Sequence, residues 1–305
     1  MKTEILNNAP ALSITIASWS GEAALTRCLD SVMPQAGDAE VIVAYRGVTD
    51  LAGILGGRYP TVRFIGGAAD ASVFVLRTLA ALPAKGKIMA MLEDHAAVGP
   101  GWVQSLAASR AKGWKVFGGP IDNGAPASAY EWALYFVEYG IYLPPMRAGE
   151  TNILSGVNIA YDRRLLQSCE AIWAKVFYET DVNAALARAG HRLYMIPEAA
   201  VSSRLRMKFG EAMDHLYTGG KHFGQFRKFH STTLKRALLV LISPLVPLVL
   251  LWRIIRLTLA RQPGRWLALI LGLPALLLLL GAWCAGEAVG YARRPSAQSP
   301  AEETS

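Results

Sequence analysis

The sequence is short of cysteine, short of histidine, and free of any long apolar run before residue 237. Its three cysteines, Cys28, Cys169 and Cys284, are widely scattered, so neither a disulfide framework nor a cysteine-based zinc site is expected. Met1 to Pro10 is polar and has no apolar core of the kind a secretory signal needs, so the soluble part is expected in the cytoplasm. No internal repeat is apparent. Acids are also in deficit, 23 against 31 Lys and Arg, a formal net charge of +8. The excess is local: Arg204 to Arg236 carries eight Lys/Arg against Glu211 and Asp214, with His215, His222 and His230 beside them. No base-reading module accompanies that charge, so nucleic acid is not the expected partner. A basic segment beside an apolar run suits anionic lipid headgroups.

The apolar character arrives late. Ala237 to Trp252 is sixteen residues without a charge, and Trp266 to Gly286 is twenty-one more. The second is long enough to cross a bilayer core, which takes roughly 20 helical residues. The first is short and interrupted by Pro244 and Pro247, and reads equally as a tilted span, a re-entrant segment or an interfacial helix. This gives four expected regions: a catalytic or binding domain over 1–203, a basic juxtamembrane segment over 204–236, membrane-associated helices over 237–290, and a Pro/Ser-rich disordered tail over 291–305.

Within the first region, apolar bursts alternate with helical stretches. Ala11–Ser20, Ala39–Tyr45, Thr61–Gly66 and Lys87–Leu92 read as strands, and Glu22–Val32 and Ala71–Leu82 as helices. Such alternation predicts an α/β fold, a mostly parallel sheet with helices on both faces, whose ligands bind at the carboxyl ends of the strands. Ser18, Tyr45 and the Glu93-Asp94-His95 cluster then share one rim. Further on, Lys115–Gly119 is a possible strand and Ser128–Tyr142 an aromatic-rich helix. "ILSGVNIAYDRRLL" reads as a strand, a Gly156-Asn158 loop and a helix start, and Tyr178–Gly190 as a helix before a strand ending at Pro197.

Several polar residues stand out, each with two readings. Glu93, Asp94 and His95 are a surface cluster capping the next turn, or ligands for a hard cation that neutralises a diphosphate. Glu179 and Asp181, at a helix N-terminus, favour the helix dipole, or one of them is a general base. Arg77, on an apolar helix, snorkels to water or contacts a phosphate. Asn158 is turn chemistry or a contact to a sugar hydroxyl.

Taken in order, these segments resemble a family 2 glycosyltransferase with the A-type nucleotide-sugar-binding fold, over about Leu12 to Arg227. "SITIASWSGEAALTRCLDSV" is similar to the family's first strand and helix, and "EVIVAYRGVTD" to its second strand and Gly-x-Thr-Asp turn. "LRTLAALPAKGKIMAMLEDHAAVGPGW" is similar to the Arg-bearing helix, fourth strand and acidic metal motif. "LSGVNIAYDRRLL" is similar to the Gly-x-Asn loop, and "YETDVNAALARAGHRLYMIPEAAV" to the helix that supplies the base. Two positions depart from the pattern. His95 stands where a second Asp is usual, and Tyr45 stands where an Asp typically contacts the nucleotide base.

The resemblance implies a membrane-attached, metal-dependent, inverting glycosyltransferase with Mn²⁺ or Mg²⁺ on Glu93, Asp94 and His95, and Glu179 as catalytic base. Donor and acceptor contacts are implied for Ser18, Glu22, Tyr45, Arg77, Glu93, Asp94, Gly156, Asn158, Asp181 and Arg227. The expected partners are a nucleotide-sugar donor, a lipid, lipid-linked or glycan acceptor, and an inner or plasma membrane with the catalytic domain on its cytoplasmic side. The alternative is a non-catalytic relative that keeps the sheet and membrane tail as an assembly or binding partner.

Overall fold

In the computed structural model, which describes residues 10–124, 128–229 and 241–292, the apolar stretch Leu12–Ser18 forms strand β1 and is buried along its whole length. That is what a strand covered on both faces requires. The chain continues through α1 (Glu22–Ala36), β2 (Glu40–Arg46), α2 (Leu51–Leu55), β3 (Val62–Gly67), α3 (Val73–Ala81) and β4 (Ile88–Glu93). After these come β5 (Ala96–Val98), α4 (Trp102–Ala111), β6 (Val116–Gly118), β7 (Ile121–Asn123), α5 (Ala129–Tyr139), β8 (Gly149–Thr151) and β9 (Asn158–Asp162). The remaining elements are α6 (Arg163–Gln167), α7 (Glu170–Trp173), α8 (Glu179–Arg188), β10 (Leu193–Met195), β11 (Val201–Ser203), α9 (Phe209–Phe229), α10 (Val246–Arg261) and α11 (Trp266–Ala292).

The large sheet has the order β3-β2-β1-β4-β9-β6-β10-β8, and β5, β11 and β7 form a small second sheet. The first four strands are mutually parallel, as the alternating pattern predicts. β9 enters antiparallel between β4 and β6. Helices flank this mostly parallel sheet, and one core of Ile42, Leu76, Met91, Tyr161, Phe177 and Leu186, among others, fills the space beneath α3 and α8. Helix starts follow local chemistry. Ser72 caps α3 by accepting from the Val75 amide at 3.3 Å, and α1 opens after Gly21, whose φ of 94° a side chain would oppose.

The described residues divide into two units. Those up to Gly124 together with Pro144–Arg204 form one, holding both sheets. Ser128–Leu143 joins the residues after Arg204 in the other. In this division α5 goes with the C-terminal helices.

In the second unit the backbones of α9 and α11 approach at glycines. A Cβ on Gly286 would stand 2.0 Å from the Tyr217 carbonyl oxygen, and one on Gly220 would stand 2.1 Å from that of Trp283. Residues Pro263–Ala292 make a helix long and apolar enough to cross a membrane. One face of α11 is buried at Leu276, Leu279 and Leu280, whereas Leu267, Ile270, Leu271, Leu277 and Leu278 are exposed. A quarter of the first apolar run, 237–240, and the tail from 293 lie outside the described residues.

Candidate active site

Parallel register brings the strand ends together. Ser18 pairs with Tyr45 across β1 and β2, and Ala17 pairs with Glu93 across β1 and β4. The chain leaves β1 through Trp19 and Ser20, and Asp94 holds that turn. Asp94 Oδ2 accepts from Ser18 Oγ at 3.0 Å, the Trp19 amide at 2.9 Å and the Ser20 amide at 2.7 Å, while Oδ1 accepts from Ser20 Oγ at 2.8 Å. The residue is 1% exposed.

Glu93 has a different set of partners. Its Oε2 accepts from the Trp19 indole at 3.0 Å, and its Oε1 meets Arg77 Nη2. Arg77 is itself buried on α3, and its Nη1 donates to Glu179 Oε2 on α8. One guanidinium therefore joins residues 93 and 179, which lie 86 apart in sequence. Burial alone would lower the Arg77 pKa, but the carboxylates of Glu179 and Glu93 outweigh it and push it up. For Glu93 burial favours the neutral acid, yet Arg77, His95 and the indole donor hold its pKa below the usual carboxylate value. Tyr178 precedes α8 and packs against Phe74 with ring centroids 4.1 Å apart and planes tilted by 36°. Burial, then Asp181 and Glu179, push its hydroxyl up to about 12.

Gly156 completes this corner. A Cβ there would stand 2.4 Å from Arg77 Cζ, so the loop crosses the guanidinium where no side chain fits. Glu179 heads α8, whose N-cap Tyr178 makes no side-chain cap bond, and its carboxylate is directed to Arg77 rather than to the helix amides. It is 18% exposed, and its Oε1 accepts no hydrogen bond among the described residues.

No protein-family model matches the chain, and no curated protein matches it in sequence. Its structure is similar to that of the mannosyltransferase PcManGT from Pyrobaculum calidifontis, solved in complex with GDP-Man and Mn²⁺. The TM-score is 0.58 at 14% sequence identity, over 92% of this chain and 88% of that one. The chain has the fold of a glycosyltransferase.

The metal set expected from the sequence is Glu93, Asp94 and His95. Two carboxylates and an imidazole are an acceptable donor set for Mn²⁺. His95 Nδ1 stands 3.6 Å from Glu93 Oε2 and 3.8 Å from Asp94 Oδ1. Both carboxylates, however, already accept from protein donors, Asp94 from the Ser18–Ser20 turn and Glu93 from Arg77 and Trp19. Among the described residues no group of three or more His, Cys, Asp or Glu is arranged to hold a metal ion. The observed arrangement does not fit a cation at this corner. Asp94 and His95 instead line a cavity of about 310 Å³ with Arg27 and Arg204.

The other expected residues fall in varied places. Asn158 begins β9 rather than a loop, and it is buried. Its Oδ1 accepts from the Trp102 indole at 3.0 Å, and its Nδ2 donates to the Ala199 carbonyl at 2.7 Å and the Pro120 carbonyl at 3.3 Å. It ties three segments together beneath the rim. Tyr45 Oη donates to Asp50 Oδ1 at 3.4 Å, so a carboxylate stands near the end of β2 after all, supplied from the following turn. Glu22 is exposed at the head of α1, and Asp181 lies in the first turn of α8. Arg227 falls on α9, in the second unit, and its side chain lies outside the described residues. Trp19 and Arg46 were not anticipated, and Asp50 entered only as the last residue of the Gly-x-Thr-Asp turn. Trp19 directly follows Ser18, which was, and Arg46 stands 5.9 Å above its ring while donating to the Ala71 carbonyl at 2.8 Å.

Proposed function

We propose that this chain transfers a sugar from a nucleotide-diphosphate donor to a hydroxyl of a lipid, lipid-linked or glycan acceptor, with inversion and with Glu179 as general base. The observation that carries the reading is the shared Arg77, which sets Glu179 beside Glu93 at the strand ends of a glycosyltransferase fold. Glu179 Oε2 is fixed by the guanidinium, leaving Oε1 for the acceptor proton. As that proton moves to Oε1, the acceptor oxygen bonds to the anomeric carbon. The bond from that carbon to the diphosphate breaks, and its electron pair leaves with the phosphate oxygen. Arg77 positions the base, and Tyr45, Arg46 and Asp50 form the wall nearest the nucleotide. The cation expected from the sequence is outside this scheme, because no three His, Cys, Asp or Glu among the described residues are arranged to hold one. Attachment to a membrane through the apolar helix over Pro263–Ala292 is part of the proposal, supported by the exposed leucine stripe on α11.

The Glu179–Arg77 ion pair also favours a second reading, in which Glu179 is structural and the chain is a non-catalytic binding partner. Turnover of a nucleotide-sugar panel with membrane-lipid acceptors, read by mass spectrometry with and without Mn²⁺, separates the two. Catalysis predicts product, and loss of about 10²- to 10⁴-fold in Glu179→Gln with folding retained. Donor binding without turnover across the panel would establish the second reading.

A further inference from the structure

At the end of the sheet opposite this rim lies a second concavity, of about 530 Å³. Lys85 and Lys87 precede β4, Lys115 precedes β6, Arg163 and Arg164 follow β9, and Arg110 closes it from α4. The six cations are brought together by the reversal of β9. Because that strand runs antiparallel between β4 and β6, its carboxyl end meets their amino ends. Backbone bonds fix the junctions: the Arg163 amide donates to the Lys87 carbonyl at 3.0 Å, and the Asp162 amide donates to the Lys115 carbonyl at 2.7 Å. β4 spans six residues, which places the cavity about 20 Å from Glu93.

Asp162 is the one carboxylate in the lining, and it is already paired with Arg110 while accepting from the Leu165 amide at 3.2 Å. Glu40, nearby, is bound by Ser13 Oγ at 2.6 Å and by the Lys85 amide at 2.9 Å. Five cationic side chains therefore converge on a concave wall with no carboxylate set against them there. Like charges so placed repel, and a concave wall focuses their field on whatever anion enters. The volume lies within the usual range for small-ligand sites, about 300–1,000 Å³. Arg163 and Arg164 offer planar forks suited to phosphate oxygens, and the lysines offer point charges around them.

We infer that this cavity is a binding site for a multiply charged phosphate group, separate from the proposed donor cleft and independent of its reading. Two sources share that chemistry, a free diphosphate and the headgroup of a phosphomonoester lipid, and the experiment distinguishes them. The full-length protein in neutral detergent, with chelator present, is acetylated at lysine with and without sodium pyrophosphate. In a parallel arm it is labelled on phosphatidylcholine vesicles with and without a minor fraction of phosphatidic acid. Mass spectrometry reads Lys85, Lys87 and Lys115, with exposed Lys175 as control. At a ligand concentration about ten times Kd, labelling of the three should fall about tenfold, with Lys175 unchanged. The protection should vanish in Arg163→Ala/Arg164→Ala, whose unliganded melting temperature checks its fold. Protection by pyrophosphate assigns a free ligand, and protection by phosphatidic acid alone assigns a headgroup. Equal labelling of the three lysines in every arm, or protection that survives the double substitution, overturns the site.

Discussion

Adding one methyl group at Gly156 tests the corner on which the proposed function rests. In Gly156→Ala the new Cβ would lie 2.4 Å from Arg77 Cζ and 2.5 Å from both Nη atoms. Carbon contacts are comfortable at about 3.5–4.0 Å, so the guanidinium has to retreat by about 1 Å or more. An arginine tip is usually free to do so. This one is buried and bonded on both sides, to Glu93 and to Glu179, and moving it loosens both bonds together. Hydrogen bonds to charged groups contribute about 1.5–3 kcal/mol each, and overpacking a filled site costs about 1–3 kcal/mol. A loss near 3 kcal/mol is the expected outcome, measured by urea unfolding of the full chain followed through tryptophan fluorescence. The cause is isolated by repeating the substitution in an Arg77→Met/Glu93→Gln background, which removes the guanidinium and neutralises the carboxylate it leaves buried. There the methyl should cost less than about 1 kcal/mol, a coupling of about 2 kcal/mol. A cost below about 0.5 kcal/mol in the native background, or the same cost in both, would refute the reasoning. Turnover should fall further than stability does, because Glu179 loses the partner that orients it.

Acid should act through Glu93. Its folded pKa is depressed, so its ion pair contributes fully above the ordinary carboxylate value of about 4.3 and is lost as pH falls through the lower folded value. The stability difference between wild type and Glu93→Gln should therefore be constant near neutrality and shrink below about pH 4 in urea titrations; a gap that persists there contradicts the assignment. In the second unit, Gly286→Leu would drive a side chain into the Tyr217 carbonyl oxygen, 2.0 Å from the Cβ position, and should lower the thermal midpoint in detergent by several degrees. Leu277→Ala, on the exposed face of α11, should leave it nearly unchanged, and equal effects of the two would mean that the α9–α11 contact is not close-packed.

The parts of the fold legible in the sequence are those where a single period decides. β1 to β4 are apolar runs flanked by amphipathic helices, and their parallel order follows from that alternation. The short strands β5, β7, β8 and β11 carry only three residues each, too few for any period to register, and they form because neighbouring segments supply ladder partners. The start of β9 is not legible, because Asn158, two residues after Gly156, resembles turn chemistry. In the structure the amide of Asn158 finds three distant partners, from Trp102, Pro120 and Ala199, and those partners let a polar residue open a buried strand.

The site divides along the same line. Residue types at strand ends are visible in a sequence, but the direction each side chain takes is not. Glu93 and Asp94 are adjacent, which suggests a shared ligand. Yet one belongs to the end of a strand and the other to the turn beyond it, so Asp94 holds the Ser18–Ser20 turn while Glu93 meets Arg77. Glu179 and Asp181 look like dipole-favouring acids of a helix start, a local interpretation that needs no third residue. What separates Glu179 from that interpretation is Arg77, 102 residues earlier, together with the missing side chain at Gly156. Each of these three positions has an adequate local explanation on its own. Only their convergence on one guanidinium makes residue 179 a candidate base, because that contact fixes one oxygen of its carboxylate and leaves the other to face an acceptor.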